Sequence, residues 1–221
     1  TKGFNIWFTW PKWAGKSTFI NILAGLTIKT SGEAVVWGNS IDKHPKASRS
    51  SLGVVPQELT IDPFFTPKES LEQQAGLYGV RPKDRNVDYI LNMLDLDDKA
   101  EAYSRTLSGG MRRRLLVAKA MVHRPPILIL DEPTAGVDIE LRVQLWNYGR
   151  KLNENGTTII LTTHYLEEAE ELCDKIAILD KGRIVKTAST QDLLEDADSK
   201  TISLKLKEVP DLNHSVLVEL G

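Results

Sequence analysis

Ile127, Leu128, Ile129 and Leu130 run directly into Asp131, Glu132 and Pro133. An unbroken apolar run of this length suits a strand buried on both faces, as in the middle of a parallel sheet covered by helices. Residues 157–161 read as a second strand of the same kind. Strand and helix patterns alternate along much of the chain, which indicates an α/β core with a parallel sheet. The first run ends in two carboxylates. Both therefore fall at the carboxyl edge of the sheet, where open α/β folds hold their ligands.

The remaining elements follow from periodicity and turn chemistry. Residues 3–9 read as a strand and 16–26 as a helix with Phe19, Ile20, Ile22, Leu23 and Leu26 on its apolar face. Strands are expected at 33–37 and 52–55, with a turn at Gly38-Asn39. Helices are expected at 68–79 and 84–96, separated by Val80-Arg81-Pro82. Ser108 is placed to cap a helix running to about 123, stopped by Pro125-Pro126. A helix at 139–152, another at 165–172, a hairpin around Lys181-Gly182, a short helix from 190 and a strand near 202–206 complete the reading. Residues 58–123 show no strand pattern and read as a helical lobe set into a core made of 1–57 and 124–221.

Composition excludes some functions. A net charge of −2 gives no bulk attraction to nucleic acid. The chain has one cysteine, Cys173, so no internal disulfide framework exists. Acidic neighbours leave that thiol unactivated and structural. No apolar run reaches the roughly 18 residues of a membrane span. Arg112-Arg113-Arg114 lies on the helix after Ser108 and reads as a solvated face or a subunit contact. His44, His123 and His214 belong to no motif.

Gly15-Lys16-Ser17-Thr18 joins the first strand to the first helix, in the manner of the G-x-x-x-x-G-K-[ST] phosphate loop. Glycines there allow φ > 0, so that successive N–H groups converge on one phosphate, and the helix N-terminus adds positive potential. Leu107-Ser108-Gly109-Gly110-Met111 offers the same chemistry a second time, two glycines ahead of a capped helix. Then come Asp131-Glu132-Pro133 and, after the next strand, Thr162-Thr163-His164.

This ordered set resembles the nucleotide-binding domain of ABC transporters over nearly the whole chain. Residues 131–142 and 161–169 are most similar to the ABC-2 type exporter subgroup. The resemblance implies a P-loop NTPase core with an inserted signature lobe. It implies that Trp13, Ala14, Gly15, Lys16, Ser17 and Thr18 wrap the phosphates of ATP. Lys16 would hold the β- and γ-phosphates, and Mg²⁺ would be held by Ser17 and Gln57 with Asp131 outside them. Glu132 would be the general base, and His164 would position the attacking water. Gln57 would also report nucleotide state to a membrane partner. Leu107, Ser108, Gly109, Gly110 and Met111 would serve ATP bound to a second subunit, which implies a head-to-tail dimer. Asp138 would close the loop that communicates between the two sites. The implied function is ATP hydrolysis driving a separate ABC-2 type permease. The subunit would be cytoplasmic and peripheral on the inner face of the cell membrane, with no nucleic-acid partner.

The chain departs from that pattern at its start. Trp10 and Trp13 stand where the family has glycines. Further strands and an adenine-stacking aromatic normally precede this point, so the chain reads as truncated there. Two readings compete with a working transport ATPase. A nucleotide-poor structural or regulatory subunit is favoured by the tryptophans. A soluble ATPase acting on DNA or ribosomes is disfavoured, because the 50 residues between Gln57 and Ser108 carry no heptads and only one cassette is present.

A tryptophan held at φ > 0 is strained by about 1 kcal/mol or more. The loop as written should therefore bind ATP weakly. Trp10→Gly combined with Trp13→Gly should tighten Mg-ATP binding about tenfold or more, or about 1.4 kcal/mol. Calorimetry on both proteins decides this. Micromolar binding by the parent with no gain in the glycine form would count against it.

Overall fold

The computed structural model describes residues 5–9, 15–134, 139–163, 166–180 and 182–192. Residues Thr1–Thr190 form one compact unit; a second begins at Gln191, of which only residues 191 and 192 are described. The expected strand near 202–206 lies outside the described residues.

The main sheet is built from β1 (Asn5–Thr9), β4 (Leu52–Val55), β5 (Ile127–Asp131), β6 (Thr158–Thr162), β7 (Lys175–Asp180) and β8 (Arg183–Ser189). Their spatial order is β4-β5-β6-β1-β7-β8. The first five strands are parallel, and β8 returns antiparallel to β7. A small antiparallel ribbon pairs β2 (Val35–Val36) with β3 (Asn39–Ser40). Its turn is Trp37-Gly38, not the expected Gly38-Asn39: both residues have positive φ, 50° and 77°. Two such residues match the twist that a two-residue hairpin requires, and this shortens the expected strand to two residues.

The double burial expected of β5 is present. Ile129 joins Ile20, Val36 and Leu52 in one cluster, with Ile127, Val54 and Ile160 packed against it. That face is covered by α1 (Lys16–Leu23), which ends earlier than expected. Gly25 at φ 75° lets Leu26 N–H reach the Asn21 carbonyl at 2.8 Å, which closes the helix. On the other face, Leu128 and Leu130 pack with Val117, Leu145, Tyr148 and Leu152. These come from α5 (Gly109–Met121) and α6 (Ile139–Glu154). Leu128 and Ile129 are both fully buried, so each side of the strand contributes to the core.

Residues 58–123 contain α3 (Pro67–Leu77), α4 (Val87–Met93) and α5, and no strand. Thr66 and Glu69 form a reciprocal capping box on α3, with Pro67 in the first turn. Leu71, Ala75, Ile90, Leu91, Leu94, Leu96 and Leu115 are buried. The arginine triplet of α5 does not form a solvated face. Arg112 donates to the Arg105 carbonyl at 2.9 Å. Arg114 donates to the Leu94 carbonyl at 3.1 Å and lies 3.5 Å from Asp95, which holds the end of α4. Arg113 turns into the core and is 2% exposed.

Two contacts join the end of α5 to β4. Gly53 lies so close to it that a Cβ would stand 2.3 Å from the Ala120 carbonyl oxygen and 3.0 Å from Pro125 and Leu128. His123 stacks on Tyr78, with ring centroids 3.6 Å apart, and its Nε2 donates to the Leu52 carbonyl at 3.3 Å. Burial lowers the His123 pKa from 6.5 to about 4, against the smaller opposing effect of that hydrogen bond. Its Nδ1 is buried with no hydrogen-bond partner, so protonation would strand a charged N–H there.

Gly53→Ala should lower unfolding stability by about 2 kcal/mol through overpacking against backbone; a urea midpoint equal to the parent's would contradict the close approach. His123 contributes in the opposite sense to a histidine held as a cation in an ion pair. It is neutral when folded and gains a proton when unfolded, so its contribution falls as pH drops from 6.5 towards 4. The stability advantage of the parent over His123→Phe should therefore shrink between pH 7 and pH 4.5 in urea titrations. A gap constant with pH would show that the imidazole is not held neutral.

Candidate functional site

Because β1, β4, β5 and β6 are parallel, their carboxyl ends share one edge of the sheet. α1 begins at that edge, where Lys16 meets the end of β5. Gly15 is the N-cap of α1 in the left-handed region, with φ 87°. Among the described residues, its chain neighbours aside, no atom lies within 4 Å of where its Cβ would be. The positive φ by itself calls for glycine there. Lys16 is the first residue of the helix, and Ser17 and Thr18 are exposed in its first turn.

Lys16 crosses to the end of β5. Its Nζ lies 2.9 Å from Asp131 Oδ1 and 2.6 Å from Glu132 Oε1. Gln57, two residues beyond β4, donates from Nε2 to Glu132 Oε2 at 2.8 Å. Thr162 at the end of β6 donates its hydroxyl to Asp131 Oδ1 at 2.6 Å. The structure thus brings Lys16, Gln57, Asp131 and Glu132 together and adds Thr162, which the sequence reading quoted in its motif but gave no role. Its signal was its position: β5 pairs Asp131 directly with Thr162 in register. Burial disfavours the Lys16 ammonium, but hydrogen bonds and charge from Glu132 and Asp131 outweigh it, so its pKa stands above 10.5.

Glu132 has φ 48°, a left-handed conformation that few non-glycine residues adopt. Its N–H bonds the Thr162 carbonyl at 2.9 Å. Its own carbonyl is taken by Arg113 Nη2 at 2.8 Å. Arg113 also donates from Nε to the Pro133 carbonyl at 2.8 Å, and from Nη1 to the carbonyls of Pro56 at 2.8 Å and Gln57 at 3.1 Å. Burial lowers its pKa, while the charges of Asp131 and Glu132 oppose the shift. Sequence reasoning missed this residue. Helical spacing held the signal, because Arg113 shares a face with the buried Leu116, Val117 and Ala120.

The second glycine pair sits at the start of α5. Ser108 caps that helix, its Oγ accepting from Met111 N at 3.2 Å. Leu107 is buried beneath, while Ser108 and Gly109 are exposed and Gly110 and Met111 partly so. Beyond Pro133, the Thr134 hydroxyl donates to the fully buried Glu168 on α7 (Leu166–Leu172), which also accepts from Trp146 Nε1 at 3.5 Å. Trp10, Trp13, Ala14, Asp138 and His164 lie outside the described residues.

Among the described residues, no three His, Cys, Asp or Glu side chains gather as a metal cage. The oxygen donors of Ser17, Gln57 and Asp131 suit a hard divalent cation that draws its other ligands from phosphate and water. The Lys16 ammonium sits against Asp131 and Glu132 there.

Comparison with known proteins identifies the family and the fold. The family model described as ABC transporter matches residues 11–135. The chain is 39% identical to a Nod factor export ATP-binding protein I of Ralstonia nicotianae over 83% of this chain and 58% of that one. It therefore spans less than two thirds of that relative's length. It is 36% identical to a linearmycin resistance ATP-binding protein of Bacillus subtilis, over 99% of this chain and 70% of the relative. Among solved structures it superposes on an ATP-binding subunit of an ABC transporter with a TM-score of 0.79 at 25% identity, covering 99% of this chain and 88% of the other. It also superposes on a dimeric post-hydrolysis ATP-binding cassette bound to ADP and Pi, with a TM-score of 0.73 at 26% identity, covering 86% and 87% of the two chains. The α/β fold is thus that of an ATP-binding cassette, and the chain belongs to the ABC transporter family.

Proposed function

We propose that this chain binds and hydrolyses ATP and powers a separate membrane permease in export. The observation that carries the reading is Lys16 bridging Asp131 and Glu132, with Gln57 on the other oxygen of Glu132. An ammonium paired with two carboxylates is poised to trade them for phosphate oxygens. Once Lys16 turns to phosphate, the Glu132 carboxylate loses its counter-charge and is free to accept a proton from water. His164 positions that water. Mg²⁺, held through Ser17, Gln57 and Asp131, would neutralise charge that develops on the phosphates. The expected strain at Glu132 fits a side chain aimed for chemistry rather than for folding.

In this reading residues 58–123 form the signature lobe, and the core is 1–57 with 124–221. The exposed N-terminus of α5 at Ser108, Gly109 and Gly110 serves ATP held by a second copy in a head-to-tail dimer; the dimeric ADP-bound relative supports such pairing. The exporter relatives favour transport over a soluble or nucleotide-poor role. No helix among the described residues is long and apolar enough to cross a membrane. In this reading the chain attaches through an ABC-2 type permease on the cytoplasmic face. A cavity of about 300 Å³ beside Pro56 and Thr60 is lined by Leu26, Val54, Tyr78 and Leu116 together with Arg49, Gln74 and Lys119, which suits an amphipathic helical segment of that permease.

Glu132→Gln keeps the shape and the contact with Gln57 but removes the base. It should leave ATP affinity unchanged or tighter, lower turnover roughly 10²-fold or more, and let trapped ATP hold two chains together in sedimentation. Turnover within about threefold of the parent would remove Glu132 from the role.

A further inference from the structure

Arg113 is spent wholly on backbone carbonyls. Its side chain is buried, yet none of its hydrogen bonds goes to a carboxylate. The acceptors belong to two loops far apart in sequence: Pro56 and Gln57 after β4, and Glu132 and Pro133 after β5. A guanidinium has five N–H donors in a fixed plane, and four of them are used here. One rigid fork thus sets the spacing between the two loops at the level of the main chain. The same loops meet a second time through their side chains, where Gln57 donates to Glu132. The carbonyl of Glu132 that Arg113 holds follows a backbone at φ 48°, so the fork also secures a conformation the residue would not choose alone.

The origin of the fork gives it direction. Arg113 lies five residues after Ser108 on the same helix, about 7.5 Å along its axis. Its neighbours Arg112 and Arg114 tie that helix to the lobe, at the carbonyls of Arg105 and Leu94. One turn of α5 therefore grips the lobe with two arginines and the two site loops with the third.

We propose that Arg113 is a positioning residue for the hydrolysis proposed above. It holds Gln57 and Glu132 in register with the glycine-bearing start of α5, so that displacement of that helix moves both side chains together. The kinetic part rests on the reading of this chain as an ATPase; the structural part does not. Lysine carries one nitrogen and cannot span four carbonyls, so Arg113→Lys should behave much more like Arg113→Met than charge conservation suggests.

The test uses the full chain with Arg113→Met, Arg113→Lys and, as a control, Arg112→Met. Hydrogen exchange without nucleotide should quicken about tenfold or more in both 57–60 and 131–134 for the two Arg113 variants. Peptides from α3 and α4 should stay within about twofold, and Arg112→Met should leave both loops unchanged. In turnover, the Arg113 variants should lose about tenfold or more in kcat, with KM for Mg-ATP within about threefold. Faster exchange in one loop only, or everywhere at once, would overturn the proposal, as would an Arg113→Lys protein with parental exchange and kcat. If the parent itself shows no ATPase activity, the functional reading fails, and the exchange pattern alone decides the role of Arg113.

Discussion

The ion pair of Lys16 with Asp131 and Glu132 is the interaction around which the rest of the site is arranged. A lysine and two carboxylates separated by more than a hundred residues meet only if their strands run parallel and end at one edge. The order β4-β5-β6-β1 supplies that meeting, and the apolar residues on both faces of β5 hold it in place. The cost of drawing three charges partly out of water is offset because each has a partner. Asp131 has Lys16 and Thr162, and Glu132 has Lys16 and Gln57.

The parallel core could be read from Ile127–Asp131 because strands buried on two faces leave an unmistakable run of aliphatic residues. Asp131 and Glu132 were legible for a related reason, since they end such a strand, whereas Lys16 was read from Gly15-Lys16-Ser17-Thr18 and Gln57 from the family resemblance. Three features were not legible in the same way. Thr162 acts through register, and register depends on which strands pair. The turn at Trp37-Gly38 was displaced by one residue because a tryptophan is a poor prior for positive φ, yet the ribbon's twist demands it. Arg113 was hidden in a run of three arginines that looks like a solvated surface. Charge composition dominates such a run, whereas the helix sends its three side chains to three separate sets of carbonyls.

Joints between helical and sheet regions recur at α5. Gly53 and His123 secure its end against β4, and Arg113 secures its first half against the loops that follow β4 and β5. These contacts differ in kind. The first is close packing against backbone, which tolerates no added atom. The second is a hydrogen bond from a neutral ring that is itself stacked on Tyr78. The third is directional hydrogen bonding that fixes distance. Together they make α5 the element through which the glycine-bearing turn and the sheet edge share one frame.

The left-handed backbone at Glu132 sets selection for robustness against selection for chemistry. Glycine is comfortable at φ 48° and asparagine nearly so, whereas glutamate bears roughly 1 kcal/mol of strain. A laboratory lineage of this chain kept only for heat resistance would drift towards Gly or Asn at that codon only where this relief exceeded what the carboxylate's contacts with Lys16 and Gln57 contribute. Survival of glutamate in such a lineage would be a record that its side chain was being used.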